Sequence, residues 1–142
     1  MIELYYFENS ICSERVLMTL AEKSATDWVP RHIHLFKREQ FDPAYLKLNP
    51  KAQVPTLVHE GEVIRESSII CDYLDDLYPA PPLKPQSGAA VARMREWIKE
   101  ADEAGFEGVA SLTFVAVFRT KLLTMQEEDR EAYWAGQTVL ER

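Results

Sequence analysis

The hydrophobic and polar positions of this chain change period several times before residue 80. Ile2 to Phe7 is a short apolar and aromatic run and reads as a buried strand. From about Ser13 to Lys23 the residues Val16, Leu17, Leu20 and Ala21 form one stripe, which predicts a helix. Trp28 to His34 reads as a second strand, and Pro30 puts part of it at an edge because proline cannot donate to a ladder. Lys37 to Gln40 reads as a polar loop. Asp42-Pro43 is a helix start, with Asp42 as N-cap and Pro43 at the first helical position, and that helix ends before Asn49-Pro50. Thr56 to Glu60 and Glu62 to Arg65 predict a hairpin. Ile69, Ile70, Tyr73, Leu74 and Leu77 then mark an amphipathic helix, with Asp72, Asp75 and Asp76 facing water.

The pattern breaks at Pro79 to Gly88, where Pro79, Pro81, Pro82 and Pro85 cannot sustain a helix. Beyond it Val91, Met94, Ile98, Ala101, Gly105, Val109, Leu112 and Ala116 recur at helical spacing. They predict one long helix to about Arg119, with Gly105 and Gly108 as kinks or close-packing points, and a second helix from Leu122 to Arg142. The order is therefore β-α-β-α-β-β-α, a linker, then helices. It predicts an α/β domain with a mixed sheet over residues 1–80, a linker over 81–88 and a helical segment over 89–142. Two helices alone cannot bury all of their apolar surface, and Val109 to Phe118 supplies area that must be covered.

Pro55 stands where a strand begins, followed by Thr56, Leu57 and Val58. A proline there makes sense if the chain bends, as a cis Val54-Pro55 bond would make it, and leaves backbone groups of Val54 to pair with something else. A few residues on, Glu66-Ser67-Ser68 opens a helix whose N-terminus is an anion site. Two candidate ligand-binding elements thus lie close together in sequence.

Composition narrows the partners. The formal charge of −7 argues against nucleic acid and against anionic membranes. No apolar run approaches the roughly 18 residues of a membrane span. Cys12 and Cys71 form neither a disulfide framework nor a metal site, and His32, His34 and His59 have no metal-ligand spacing, so no metal and a cytoplasmic location are the expectation.

The pair Leu48-Asn49-Pro50…Gln53-Val54-Pro55-Thr56-Leu57 and Glu66-Ser67-Ser68-Ile69-Ile70, running into Tyr73-Leu74, resembles the glutathione transferase family. The resemblance covers residues 2–80 well. It implies a thioredoxin-like N-terminal domain with a mixed four-stranded sheet, followed by a partial all-helical C-terminal domain. Asn9-Ser10-Ile11-Cys12-Ser13-Glu14-Arg15-Val16 resembles the pattern of zeta-class transferases (maleylacetoacetate isomerases) and of bacterial tetrachlorohydroquinone dehalogenases. Ala92-Arg93-Met94-Arg95-Glu96-Trp97 with Asp102 resembles bacterial β-aryl etherases of the same superfamily.

The family's co-substrate would be glutathione, an anionic tripeptide thiol. Val54, turned by Pro55, would pair with its cysteinyl backbone, a one-residue strand addition. Ser67 would hold the γ-glutamyl carboxylate and Glu66 the amino group, a role compatible with helix capping. Gln40, with Gln53 as an additional contact, would face the glycyl carboxylate; Lys37, Arg38 and Lys51 are cationic alternatives. Ser10 matches the serine that favours the thiolate, Cys12 matches the cysteine of the dehalogenases, and Ser13 is a candidate N-cap. The resemblance implies a homodimeric transferase acting on a small hydrophobic or aromatic electrophile. Isomerisation, reductive dehalogenation or ether cleavage through Ser10 and Cys12 is one alternative, and a non-catalytic binding module is another.

Overall fold

A computed structural model of the protein describes residues 1–137. The chain forms two compact units, the first spanning Met1–Val91 and the second starting at Ala92.

In the first unit β1 (Ile2–Tyr6), β2 (Trp28–His32), β3 (Thr56–His59) and β4 (Glu62–Arg65) form one sheet in the order β2-β1-β3-β4. β1 pairs parallel with β2 and antiparallel with β3, which pairs antiparallel with β4, so the sheet is mixed. Pro30 sits in an edge strand, where its missing N–H costs no ladder bond. The hairpin turn Glu60-Gly61 has φ of 53° and 89°, the positive pair that a two-residue primed turn requires.

α1 (Ile11–Glu22) and α3 (Ser67–Leu77) pack on the face to which Ile2 and Leu4 point. Ile2, Leu4, Val16, Leu20, Leu57, Ile70 and Leu74 make the core. The short α2 (Pro43–Leu48) lies on the opposite face, where Tyr45 packs on Tyr5 with ring centroids 5.8 Å apart. Asp42 caps α2 by accepting from the Ala44 N–H at 2.7 Å, with Pro43 in the first turn, as the sequence predicts.

Four expectations for the first unit need correction. α1 begins at Ile11, not Ser13, because Ser10 is extended and its Oγ accepts the Ser13 N–H. Ser13 is instead fully buried, with its own Oγ accepting the Phe7 N–H at 3.2 Å. Residues Leu35–Lys37 and Glu39–Phe41 form 3-10 turns rather than an open polar loop, and Gln40 is buried. Asp75 does not face water. It pairs with the buried Lys23 and also accepts from the backbone N–H groups of Leu83 and Lys84, at 2.8 and 3.2 Å. Lys23 donates in turn to the Pro81 carbonyl at 2.5 Å. The residues after α3 are thus tied to α1 and α3 by a polar node beneath the surface.

The second unit contains α4 (Gly88–Glu100, which starts in the first unit), α5 (Phe106–Thr113), α6 (Arg119–Thr124) and α7 (Glu127–Gln137). Single π-helical turns at Ala101–Gly105 and Phe114–Phe118 join the first three, so helix continues to Thr124 rather than ending near Arg119. A Cβ at Gly105 or Gly108 would meet nothing among the described residues, so neither is a close-packing point there. Leu122 belongs to α6, and residues 138–142 of the expected second helix lie outside the described residues. Among the described residues of this unit only Leu122 and Tyr133 are buried apolar positions, while Trp97, Leu112 and Val115 are exposed.

Burial alone would raise the Asp75 pKa. The Lys23 ammonium and the two amides outweigh it and hold the carboxyl below its ordinary range. The lowered pKa makes its stabilisation fully present above about pH 4 and lost as pH falls through the folded-state value. Asp75→Asn should cost about 3–5 kcal/mol by leaving the Lys23 charge buried and unpaired. The double change Lys23→Met with Asp75→Asn should recover most of it, as denaturant unfolding at neutral pH would measure.

Candidate functional site

The register of the sheet decides which loops meet. β1 runs antiparallel to β3 with Tyr5 opposite Thr56, so the turn after β1 lies beside the segment before β3. β1 runs parallel to β2 with Tyr6 opposite His32, so the chain leaving β2 emerges at that same end. Thr56 also pairs with Arg65, which sets Val54-Pro55 beside Glu66-Ser67. Ser10, Val54, Pro55, Glu66 and Ser67 are thereby collected at one end of the sheet, and the segment carrying Gln40 departs from it.

Residues 49–56 are shaped by buried polar contacts that the sequence reading missed. Asn49 Nδ2 donates to the Gln53 carbonyl at 2.9 Å and to Thr56 Oγ1 at 3.0 Å, while its Oδ1 accepts the Lys51 N–H at 3.1 Å. The Tyr45 hydroxyl donates to the same Gln53 carbonyl at 2.6 Å. Burial pushes the Tyr45 phenol pKa up, so it remains a neutral donor. In the sequence Asn49 is legible as an Asn-Pro helix stop and as part of the motif before Pro55; its side-chain contacts needed the fold. The Val54-Pro55 bond is cis, as anticipated. Neither the N–H nor the C=O of Val54 hydrogen-bonds to any described residue, whereas Thr56 begins the ladder. Pro55 is buried and the Gln53 side chain is exposed.

Glu66 holds the N-cap position of α3 with φ 67° and ψ 118°, a conformation rare for an L side chain, and its side chain makes no capping bond. The first intrahelical bond runs from the Ile70 N–H to the Glu66 carbonyl. The N–H groups of Ser67, Ser68 and Ile69 have no partner among the described residues, which leaves the positive end of the helix open to an anion. The Glu66 carboxylate accepts from Lys51 Nζ at 2.7 Å, which brings the loop after α2 to the start of α3.

On the other side, Ser10 caps α1. Its Oγ accepts from the Ser13 N–H at 3.4 Å, and an accepting hydroxyl keeps its own hydrogen to donate. Cys12 is a half-buried free thiol in the first turn of the same helix. The Tyr5 hydroxyl is directed at Glu3 Oε2, at 3.4 Å, so it offers no donor to the site. Gln40 Oε1 is buried without a hydrogen-bond partner among the described residues, an acceptor that the chain itself does not satisfy. Arg38 stacks over the Phe41 ring at 4.7 Å. Cys71 and His59 make contacts inside the fold. Cys71 Sγ accepts from Thr19 Oγ1 at 3.1 Å, and His59 Nδ1 lies 2.6 Å from the Tyr73 hydroxyl.

A thioredoxin-like half with a cis proline at the site and a helical segment after it defines a class. Residues 4–82 match the family model described as glutathione S-transferase, N-terminal domain. The chain belongs to the glutathione S-transferase family. It is 32% identical over 134 residues to protein LigF of Sphingobium sp. strain SYK-6, an alignment covering 93% of this chain and 52% of LigF. The crystal structure of that β-etherase superposes with a TM-score of 0.80 over 93% of this chain and 55% of the other. Glutathione S-transferase Z1 of Arabidopsis thaliana is 41% identical over 86 residues, 60% of this chain and 38% of the relative. A glutathione transferase homologue from Sulfitobacter, solved with bound glutathione, superposes with a TM-score of 0.71 at 25% identity, over 95% of this chain and 62% of the other. The chain thus spans about half the length of LigF. No helix among the described residues is long and apolar enough to cross a membrane.

Asn49 should be as sensitive to charge as to truncation. Asn49→Ala should cost about 1–3 kcal/mol by deleting bonds to buried acceptors. Asn49→Asp, of the same size but unable to donate when ionised, should cost at least as much; thermal unfolding of the two variants would measure both.

Proposed function

We propose that the chain binds glutathione at the end of the sheet gathered by β1, β3 and α3, and activates its thiol toward a small hydrophobic or aromatic electrophile. The observation that carries this reading is the unpaired main chain of Val54, held beside the open N-terminus of α3. An extended peptide can add to Val54 as a short strand and still reach that terminus. The Ser67 hydroxyl and the amides around it suit the γ-glutamyl carboxylate, and the Glu66 carboxylate suits the ammonium beside it. Gln40 and Gln53 offer amides to the glycyl end. Pro55 keeps the Val54 backbone outside the ladder.

The chemistry falls to the first turn of α1. A free thiol has a pKa near 8.5 and is mostly protonated at neutral pH. Ser10 keeps a hydrogen to donate to the thiolate sulfur, and the N-terminal partial charge of α1 favours the same anion. The thiolate then bonds to the electrophilic carbon, either adding to it or displacing a leaving group. Cys12, two residues after Ser10, would serve the alternative of a mixed disulfide with glutathione, in which the two thiols are oxidised as an oxidised substrate is reduced. Glutathione-dependent ether cleavage is the second reading. It is favoured by the likeness to LigF, which covers 93% of this chain and so extends past the matched N-terminal domain. A homodimer and a cytoplasmic location accompany the first reading as family expectations.

Ser10→Ala should leave the glutathione Kd within about threefold while lowering turnover of an aryl halide by about 10²-fold, the size of effect seen when one donor to a developing anion is lost. Calorimetry and initial rates would separate the two. A cysteine-based reaction would show the reverse: Cys12→Ser alone would abolish turnover, and mass spectrometry of the wild type would find one covalently held glutathione. Failure of the wild type to bind glutathione would sink both readings.

A further inference from the structure

The Lys51–Glu66 ion pair stands within the proposed ligand site and has no role in the chemistry above. Lys51 Nζ lies 2.7 Å from Glu66 Oε1. The two side chains are 65% and 51% exposed, so the pair is solvated and readily opened. Glu66 makes no capping bond, and among the described residues its carboxylate is hydrogen-bonded by Lys51 alone. Glu66 is the N-cap residue of α3 and is already paired with Lys51, so a ligand ammonium arriving there meets a carboxylate that already carries an ammonium.

We propose that Lys51 is an internal surrogate for the ligand's α-ammonium and a determinant of specificity at the glutamyl end of the site. This rests on the reading of Glu66 as the acceptor of that ammonium. When the tripeptide binds, one ammonium replaces another on Glu66, so the free amine of the ligand gains little. A ligand whose amine is blocked does not have to break the pair. Lys51 therefore narrows the difference in affinity between a free γ-glutamyl amine and an acylated one. Arg65, next to Glu66 in sequence, is engaged elsewhere: its Nε donates to the Leu48 carbonyl at 2.6 Å.

The test is calorimetric titration of the chain and its Lys51→Met variant with glutathione and with N-acetylglutathione. Thermal unfolding would confirm that the variant folds, as an exposed pair allows. The variant should bind glutathione about two- to fivefold more tightly, the range an exposed ion pair can supply, and bind the acetylated probe as the wild type does. Weaker binding of both ligands by the variant would mean that Lys51 contacts a ligand carboxylate, and would overturn the proposal. Unchanged binding of both would overturn it too, while leaving the glutathione site intact. If the wild type binds no glutathione, the site reading fails first and takes this proposal with it.

Discussion

The placement of β1 between a parallel and an antiparallel neighbour is the constraint on which the rest of this structure depends. Side chains alternate along a strand, so one register fixes both faces at once. Ile2 and Leu4 enter the core against α1 and α3, while Tyr5 turns to Tyr45 of α2. The same register brings the turns after β1 and before β3 to one end of the sheet. A slip by one residue would turn Leu4 out of the core and Glu3 toward it. Core packing and site assembly are therefore enforced by a single set of ladder bonds.

Within that frame, buried polar groups do the local shaping. Asn49, Tyr45 and Thr56 form a closed set around the Gln53 carbonyl, which holds the loop that leaves Val54 outside the ladder. Lys23 and Asp75 play the corresponding part where the chain leaves α3. In both places each polar atom removed from water is met by a partner, and such sets specify geometry because a half-made set is costly. Gln40 Oε1 is the contrasting case, an orphan buried acceptor on the segment that departs from the site.

Much of the fold was legible because its signals are local. The Asp42-Pro43 cap, the Glu60-Gly61 turn and the apolar period of α3 each depend on a few neighbouring residues. The start of α1 was not, because Ser10 and Ser13 are both capping residues and only the Phe7 amide, brought in by the fold, takes Ser13 away. Asp75 looked like a surface residue beside Asp72 and Asp76 since its partner Lys23 is distant in sequence. The long helix was recognised by its period, but π turns leave no periodic mark over so few residues. Val54, Glu66 and Ser67 stood out as a motif, whereas the Lys51 contact with Glu66 joins two exposed charges that no pattern links. The helical unit was expected to lack cover for its apolar surface, and Leu112 and Val115 are indeed exposed among the described residues.

The charge of the chain sharpens what the proposed glutathione site would have to do. A protein of net charge −7 repels an anionic tripeptide at long range. At physiological ionic strength that repulsion fades over about 8 Å, so groups at contact distance decide binding. The open amides of α3 and the capped first turn of α1 are such groups, with partial charges that act within about one helical turn. They need no lysine or arginine to attract an anion, which leaves Lys51 available to neutralise Glu66. An acidic chain can thus present a locally anion-seeking corner in which positive character comes from backbone dipoles and the adjacent Lys51 ammonium is held by a carboxylate.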